Sequence, residues 1–204
     1  GTYVTTPHIE KDYAVVSVRT KIEGVEKGSA VTLKTRILDP DGHAVACVTD
    51  TRLLHFGEIE QTLTVENPTL WSPEAPVMYF VETEVYAGGS VNTDWNMDRP
   101  EISIADGTVP CDKVSTRFGF RTIEIIPDKG FFLNGESRKF RGVCLHHDLG
   151  PLGAAINKAA VRRQLTMLKD MGCDAIRTSH NMPAEELIAS GSVNVNTLPS
   201  IFWT

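Results

Sequence analysis

The sequence predicts a mainly β protein, in which an immunoglobulin-like β-sandwich is followed by the first βα units of a truncated (β/α)8 barrel. Residues 8–126 consist of short segments in which apolar and polar side chains alternate, as in strands buried on one face. After that point the pattern changes to a hairpin, a strand, an amphipathic helix and a second strand. We therefore place a sandwich domain over residues 1–125 and an incomplete barrel domain over residues 126–204.

Period-two alternation predicts the strands of the sandwich. It is clearest at residues 31–38, and it is also present at residues 13–22, 45–48, 60–65 and 77–86. The turn signal Asp39-Pro40-Asp41-Gly42 separates two of these strands, because proline fixes one turn dihedral and glycine permits another. Residues 118–126 are predicted to be the last sandwich strand or its exit.

Two segments of this half are predicted to be irregular. Residues 67–76 contain three prolines, which argue against a regular helix or strand. Trp71 in this segment is predicted to be a packing anchor rather than a platform for a sugar ring. Residues 88–112 are mostly polar and are predicted to be a loop, in which Trp95 either caps an apolar patch or stacks on a sugar.

The second half begins with a hairpin that has Asn134-Gly135 at its tip, followed by a short apolar strand. Asn157 is predicted to cap a helix over residues 158–171, and Gly172 to end it. Its apolar face is predicted from residues at spacings of three and four, namely Val161, Leu165, Leu168 and Met171. A strand over residues 173–177 then completes one βαβ unit.

Composition excludes few classes of protein. The formal net charge of -6 argues against a nucleic-acid or anionic-membrane partner. We find no apolar run of about 18 residues, so no membrane span is predicted. The N-terminus has neither the basic nor the apolar region of a secretion signal. The cellular compartment stays open, with the cytoplasm or periplasm of a bacterium as the alternatives.

No metal or cofactor site is predicted. The cysteines form no C-x-x-C pair, and Cys144 and Cys173 are predicted to be buried free thiols. His146, His147 and Asp148 form a conceivable ligand set. Adjacent residues of a strand point to opposite faces, however, so the sequence favours no metal there.

A series of short motifs, in this order and spacing, is similar to glycoside hydrolase family 2, the family of β-galactosidases, β-glucuronidases and β-mannosidases. The motifs are LWSP at 70–73, RFGFR at 117–121, GFFLNG at 130–135, RGV through HHD at 141–148 and IRTSH at 176–180. Residues 149–155 are most similar to the β-galactosidase branch. The resemblance implies a sugar-binding jelly-roll, a sandwich and a catalytic barrel, of which this chain would hold the sandwich and the opening of the barrel.

The resemblance also implies which chemistry is missing. A retaining glycosidase needs two carboxyl groups roughly 5 Å apart. In the family both are glutamates on later barrel strands, and the acid/base glutamate directly follows an asparagine. The chain contains no Asn-Glu pair, so no catalytic residue is assigned in it. Glu185 and Glu186 are expected instead to favour a helix N-terminus, and an enzyme that uses them or Asp148 is disfavoured.

The resemblance implies a substrate-binding set made of His146, Asp148, Arg177, His180 and Asn181. The two histidines would line the sugar site and exchange hydrogen bonds with sugar hydroxyls. Arg177 would lie beside the nucleophile and keep that carboxylate ionised. Asp148 would orient sugar hydroxyls or its neighbouring histidine, and a purely structural role for it is equally open.

Two functions follow as expectations. The first is an inactive fragment of a retaining β-glycosidase that acts on terminal β-glycosidic bonds, with β-galactosides favoured. The alternative is a non-catalytic sandwich module that binds carbohydrate or protein. The tail departs from the family pattern after residue 188, which a truncated gene, a frameshift or a vector-derived end would each explain. Exposed edges of an open barrel predict self-association or a mobile C-terminal third of the chain.

Overall fold

The computed structural model describes residues 1–26, 28–53, 57–87, 108–146, 148–179, 183–184, 186–188 and 198–200. The chain divides into two compact units. Unit 1 comprises Gly1–Thr69 and Met78–Phe120, and unit 2 comprises Leu70–Val77 and Arg121–Thr204. The proline-rich loop between the two parts of unit 1 therefore belongs to unit 2.

Unit 1 is the predicted β-sandwich. Its strands are β1 (Thr2–Ile9), β2 (Tyr13–Lys21), β3 (Ala30–Leu38), β4 (Ala44–Leu53), β5 (Glu58–Glu66), β6 (Tyr79–Ala87) and β7 (Asp112–Phe118). One sheet has the order β1-β2-β5 and the other β4-β3-β6-β7, and all neighbours are antiparallel. The strands predicted from alternation are confirmed as β2 to β6, whereas β1 and β7 were not predicted.

Side chains from both sheets form the core between them. Val31 and Leu33 of β3 and Ile59 of β5 belong to one buried apolar cluster. Their neighbours along each strand face the other way, which is why every second residue of β5 is buried. The alternation read from the sequence is thus the alternation between core and surface.

A buried polar bridge also joins the sheets. The Thr35 hydroxyl donates to Gln61 Oε1 at 2.6 Å, and Gln61 Nε2 donates to the Leu33 carbonyl at 3.4 Å. Thr83 Oγ1 lies 3.2 Å from the Thr35 hydroxyl. A buried polar group without a partner costs about 1–3 kcal/mol, so these bonds favour one alignment of the two sheets.

A charged cluster lies on the opposite face of the four-stranded sheet. Arg36 Nη2 donates to Glu82 and Glu84, each at 3.0 Å, and Lys113 Nζ lies 3.1 and 3.5 Å from the same carboxylates. Burial opposes ionisation of Glu84, but a 2.9 Å hydrogen bond from Tyr86 and the two cations outweigh it and lower its pKa. Because the pKa is lowered on folding, the cluster stabilises unit 1 above the ordinary glutamate pKa and loses this contribution as pH falls.

Of the two alternatives predicted for residues 118–126, the structure contradicts the single sandwich strand and agrees with an exit from the sandwich. The last sandwich strand ends at Phe118, and Ile123–Ile126 forms β8 of unit 2. There β8 pairs with β9 (Gly130–Leu133), which pairs with β10 (Glu136–Arg138). The hairpin tip has positive φ at both turn residues, Asn134 at 51° and Gly135 at 78°, as a tight two-residue turn requires.

The rest of unit 2 includes a parallel sheet and the α-helix α1. Strands β11 (Gly142–His146), β12 (Ala175–Ser179) and β13 (Leu198–Ser200) lie in that order, and α1 spans Lys158–Asp170. β12 begins two residues later than predicted. β13 was not predicted, because the sequence after residue 188 does not follow the pattern of the family.

The predicted helix is confirmed together with its cap. Asn157 Oδ1 accepts a hydrogen bond from the Ala160 amide at 3.0 Å. Val161 and Leu165 are buried against Ile176 of β12. The apolar face is shorter than predicted, because Met171 is 67% exposed.

The cysteine prediction is wrong for Cys144, which is exposed, whereas Cys173 is half-buried. All four cysteines are free. Among the described residues, no helix combines the length and the apolar character that crossing a membrane would require.

Candidate functional site

Strand register places two of the predicted site residues on one face of the parallel sheet. β11 and β12 pair with Cys144 opposite Arg177 and His146 opposite Ser179. Paired residues share a face, and so do residues two apart on one strand. His146 and Arg177 are therefore one strand apart and two residues out of register, with Cα atoms about 8 Å apart from ideal sheet spacings.

Helix α1 covers the other face of this sheet. Leu145 and Ile176, the neighbours of His146 and Arg177 in sequence, pack with Val161 and Leu165 of α1. In a (β/α)8 barrel the helices lie outside the strands. The face that bears His146 and Arg177 is thus the one that a closed barrel turns inward. His146 is the last residue of β11, at the carboxyl end where barrel enzymes hold their active sites, and Arg177 is the middle residue of β12.

The amino ends of the same strands are tied together. Asp174 accepts hydrogen bonds from the Arg141 amide at 2.7 Å and from Arg141 Nε at 3.3 Å. In return the Asp174 amide donates to the Arg141 carbonyl at 2.8 Å. Next to this pair, a Cβ built on Gly142 would lie only 2.2 Å from the Ala175 carbonyl oxygen. These contacts fix the register that brings His146 and Arg177 to one face.

Asp148 stabilises the loop that follows His146. Its Oδ1 accepts a hydrogen bond from the Gly150 amide at 3.0 Å, and its own amide donates to the His146 carbonyl at 2.5 Å. A short 3-10 turn, Gly150–Leu152, follows directly. One carboxylate oxygen is therefore bonded to the main chain of the loop.

Several predicted residues lie outside the described part of the chain. They are His147, His180, Asn181, Glu185 and Trp95. Trp71 is described, and it is the predicted packing anchor, because only 2% of its surface is exposed. Stacking of a sugar on its ring is therefore excluded.

The sequence reasoning did not predict that Cys144 shares the face of His146 and Arg177. It is exposed on the same face as His146 and lies directly opposite Arg177 in the strand register. Alternation along β11 places it with His146, and this signal was present in the sequence. The apolar character of the strand suggested burial instead.

A small cavity lies near the strand ends, but on the α1 side of the sheet. Its volume is about 60 Å³, and its lining includes Leu145, His146, Asp148, Gln164 and Thr178. Pockets for small-molecule ligands are typically about 300–1,000 Å³. This cavity is therefore too small for a sugar ring, and Arg177 does not line it.

One group of described residues has donor atoms close enough for a metal ion, namely Asp39, Asp41 and His43 in the turn between β3 and β4. Asp39 Oδ1 accepts hydrogen bonds from the amides of Asp41 and His43 at 2.9 and 2.8 Å. The His43 amide bond is the largest cause of a lowered Asp39 pKa. The carboxylate thus has a turn-stabilising role, and the group is far in sequence from the barrel strands.

Two family models match the chain. The model described as "Glycosyl hydrolases family 2" matches residues 2–98, and "Glycosyl hydrolases family 2, TIM barrel domain" matches residues 124–189. A β-galactosidase of Bacteroides ovatus, BoGH2A, is 37% identical over 192 residues, covering 92% of this chain and 20% of the relative. A putative β-glucuronidase of Formosa agariphila is 37% identical over 179 residues, covering 88% of this chain and 15% of the relative.

Solved structures agree with these matches. A family 2 member from Bacteroides cellulosilyticus superposes with a TM-score of 0.77 at 34% identity, over 94% of this chain and 23% of that one. A β-glycosidase from Bacteroides vulgatus gives 0.78 at 29% identity, over 97% of this chain and 23% of that one. The chain therefore spans about a fifth of the length of the relatives it matches.

Proposed function

Because this chain belongs to glycosyl hydrolase family 2, we propose that it is a segment of a retaining β-glycosidase that hydrolyses terminal β-glycosidic bonds. β-Galactosides are the favoured substrates. The preference rests on residues 149–155 and on the BoGH2A relative, which is a β-galactosidase. The β-glucuronidase relative at equal identity makes β-glucuronides the competing substrate class.

The segment contributes sugar-binding groups rather than the catalytic carboxylates. The observation that carries this assignment is the shared face of His146 and Arg177, opposite the face that α1 covers. A neutral imidazole at the strand end exchanges hydrogen bonds with sugar hydroxyls. The fixed charge of Arg177 favours the ionised form of a neighbouring nucleophile.

Asp148, His180 and Asn181 complete the proposed substrate-binding set. The hydrogen bond from the Gly150 amide supports the orienting role for Asp148, because it holds the loop beside His146. The other carboxylate oxygen is then the one that would reach a sugar hydroxyl. His180 and Asn181 follow the carboxyl end of β12, where barrel enzymes place ligand contacts.

A panel of nitrophenyl β-glycosides tests the proposal. The purified chain is expected to hydrolyse none of the galactoside, glucuronide and mannoside, because no Asn-Glu pair is present. A longer polypeptide that continues this chain through a complete barrel is the positive control, and it should hydrolyse the galactoside fastest. Turnover by the short chain that disappears in Glu185→Gln or Asp148→Asn would mean that the catalytic groups lie within it.

We also propose that the isolated chain self-associates. Large apolar side chains of unit 2 are exposed, including Ile125 and Met171 at 67% and Met167 at 57%. Sedimentation velocity should show a mass above 22.4 kDa that grows with concentration. Changing Met167 and Met171 together to lysine should reduce it, whereas Lys158→Ala, on the same helix, should not. A monomer at all concentrations would contradict the proposal.

A further inference from the structure

Arg121 and Trp71 form a cation–aromatic pair in unit 2. The Arg121 guanidinium carbon lies 5.0 Å from the centre of the Trp71 ring, within the range of a cation–π contact. The Asn134 side chain bonds to the main chain of Trp71 and to that of Thr122, the residue before β8. Its Nδ2 donates to the Trp71 carbonyl at 3.1 Å, and its Oδ1 accepts from the Thr122 amide at 3.0 Å.

Among the described residues, the Arg121 guanidinium has no counter-ion. In the described part of the chain, no carboxylate lies within ion-pair distance of Arg121, which is half-buried. Two other arginines of unit 2 do have acidic partners. Arg138 pairs with Glu74, and Arg141 pairs with Asp174. Burial lowers the pKa of Arg121, and no neighbouring acid opposes this effect.

An unpaired cation that is withdrawn from water is unfavourable unless an anion joins it. A guanidinium over an aromatic ring uses its face for that contact and keeps the N–H groups along its edge for acceptors. The planar fork of these N–H groups matches a carboxylate, which accepts two parallel hydrogen bonds. Trp71 is 2% exposed and therefore offers a fixed backing for the fork.

We propose that Arg121, held over Trp71, is a carboxylate-binding site. Its ligand is either an acidic side chain of another polypeptide segment or a small carboxylate such as a sugar acid. The two sources share the same chemistry at the guanidinium. The site includes neither His146 nor Arg177, and it does not depend on the proposed glycosidase function.

Titration with sodium acetate at constant ionic strength tests the site, with sodium chloride as the balancing salt. The indole N–H resonance of Trp71, assigned with Trp71→Phe, should shift and saturate in the millimolar range. Arg121→Met should abolish the saturable shift, and Arg121→Lys should weaken binding at least tenfold, because lysine lacks the fork. Arg138→Met is the matched control and should bind as the unchanged chain does. An equal, linear response in the unchanged chain and Arg121→Met would overturn the proposal.

Glucuronate in place of acetate distinguishes the two sources. Affinity at least tenfold above that of acetate would favour a sugar acid as the ligand, whereas equal affinity would show that only the carboxylate is recognised, as expected for an acidic side chain. Both results support a carboxylate site. If neither acetate nor glucuronate binds saturably, the proposal is refuted.

Thermal unfolding gives a second readout that does not require a spectrum. Without carboxylate, Arg121→Met should unfold at the same temperature as the unchanged chain or higher, because an unpaired charge has been removed. Acetate at ten times its Kd should raise the Tm of the unchanged chain by about 3–5 °C and leave the variant unaffected. A variant that is less stable without acetate, combined with no acetate effect on the unchanged chain, would show that Arg121 already has its partner.

Discussion

Replacing Gly142 with alanine is expected to destabilise unit 2 by about 3 kcal/mol, at the upper end of overpacking effects. The added Cβ would lie 2.2 Å from the Ala175 carbonyl oxygen and 2.8 Å from its carbon. Both atoms are main chain, so no side-chain rotation relieves the overlap. β11 and β12 must separate, and the contact between Arg141 and Asp174 must break with them.

Hydrogen exchange of the β12 amides measures this effect. A loss of about 3 kcal/mol corresponds to roughly a hundredfold faster exchange where opening of unit 2 limits protection. Gly153→Ala is the control, because Gly153 has a φ of 58° but no atom within 4 Å of its added Cβ. It should cost only the backbone strain of about 1–2 kcal/mol. Equal protection in Gly142→Ala and the unchanged chain would mean that the close strand approach does not hold the register.

Local chemistry was sufficient to predict the capped helix and the hairpin. The Asn157 cap is a contact between residues three apart, and the turn at Asn134 needs only two residues with positive φ. The central strands were likewise predictable, because their inner faces are apolar. These elements depend on neighbours in sequence or on burial of one face, and a sequence pattern contains both.

Two edge strands, β1 and β7, were not predictable, because neither shows a regular alternation of buried and exposed residues. β7 has the sequence DKVSTRF, in which no residue is fully buried. β1 contains Pro7, and its pairing with β2 shifts register between Thr5 and His8, so a regular alternation is absent. β8 shows the opposite problem, because its apolar residues indicate a strand without indicating which sheet it joins.

Predicting the candidate site would have required the pairing register of β11 and β12 as well as the alternation along each strand. Alternation puts Cys144 and His146 on one face of β11, but it does not say which residue of β12 lies beside them. The structure supplies this, with Cys144 opposite Arg177. It also explains why Cys144 is exposed, since α1 packs on the other face through Leu145 and Ile176.

Phe120→Ala is expected to destabilise unit 1 by about 4 kcal/mol, within the range of buried phenylalanine truncations. Phe120 has no exposed surface. Its ring meets Tyr79 edge-on at 4.8 Å and Phe118 edge-on at 5.0 Å, and Tyr79 in turn accepts a hydrogen bond from the Thr69 amide at 3.1 Å. Truncation therefore leaves a cavity and removes two aromatic contacts.

Urea unfolding, monitored by a signal from unit 1, measures the loss in free energy of unfolding. Phe118→Ala is the matched control. Phe118 also has two aromatic contacts, with Phe120 at 5.0 Å and with Tyr79 at 6.1 Å, but it is only half-buried, so its truncation should cost clearly less. Phe120→Leu should recover much of the stability, because leucine refills most of the volume. If both alanine variants lose the same amount, the aromatic cluster acts as one unit, and the burial of Phe120 alone does not account for the stability of this part of the sandwich.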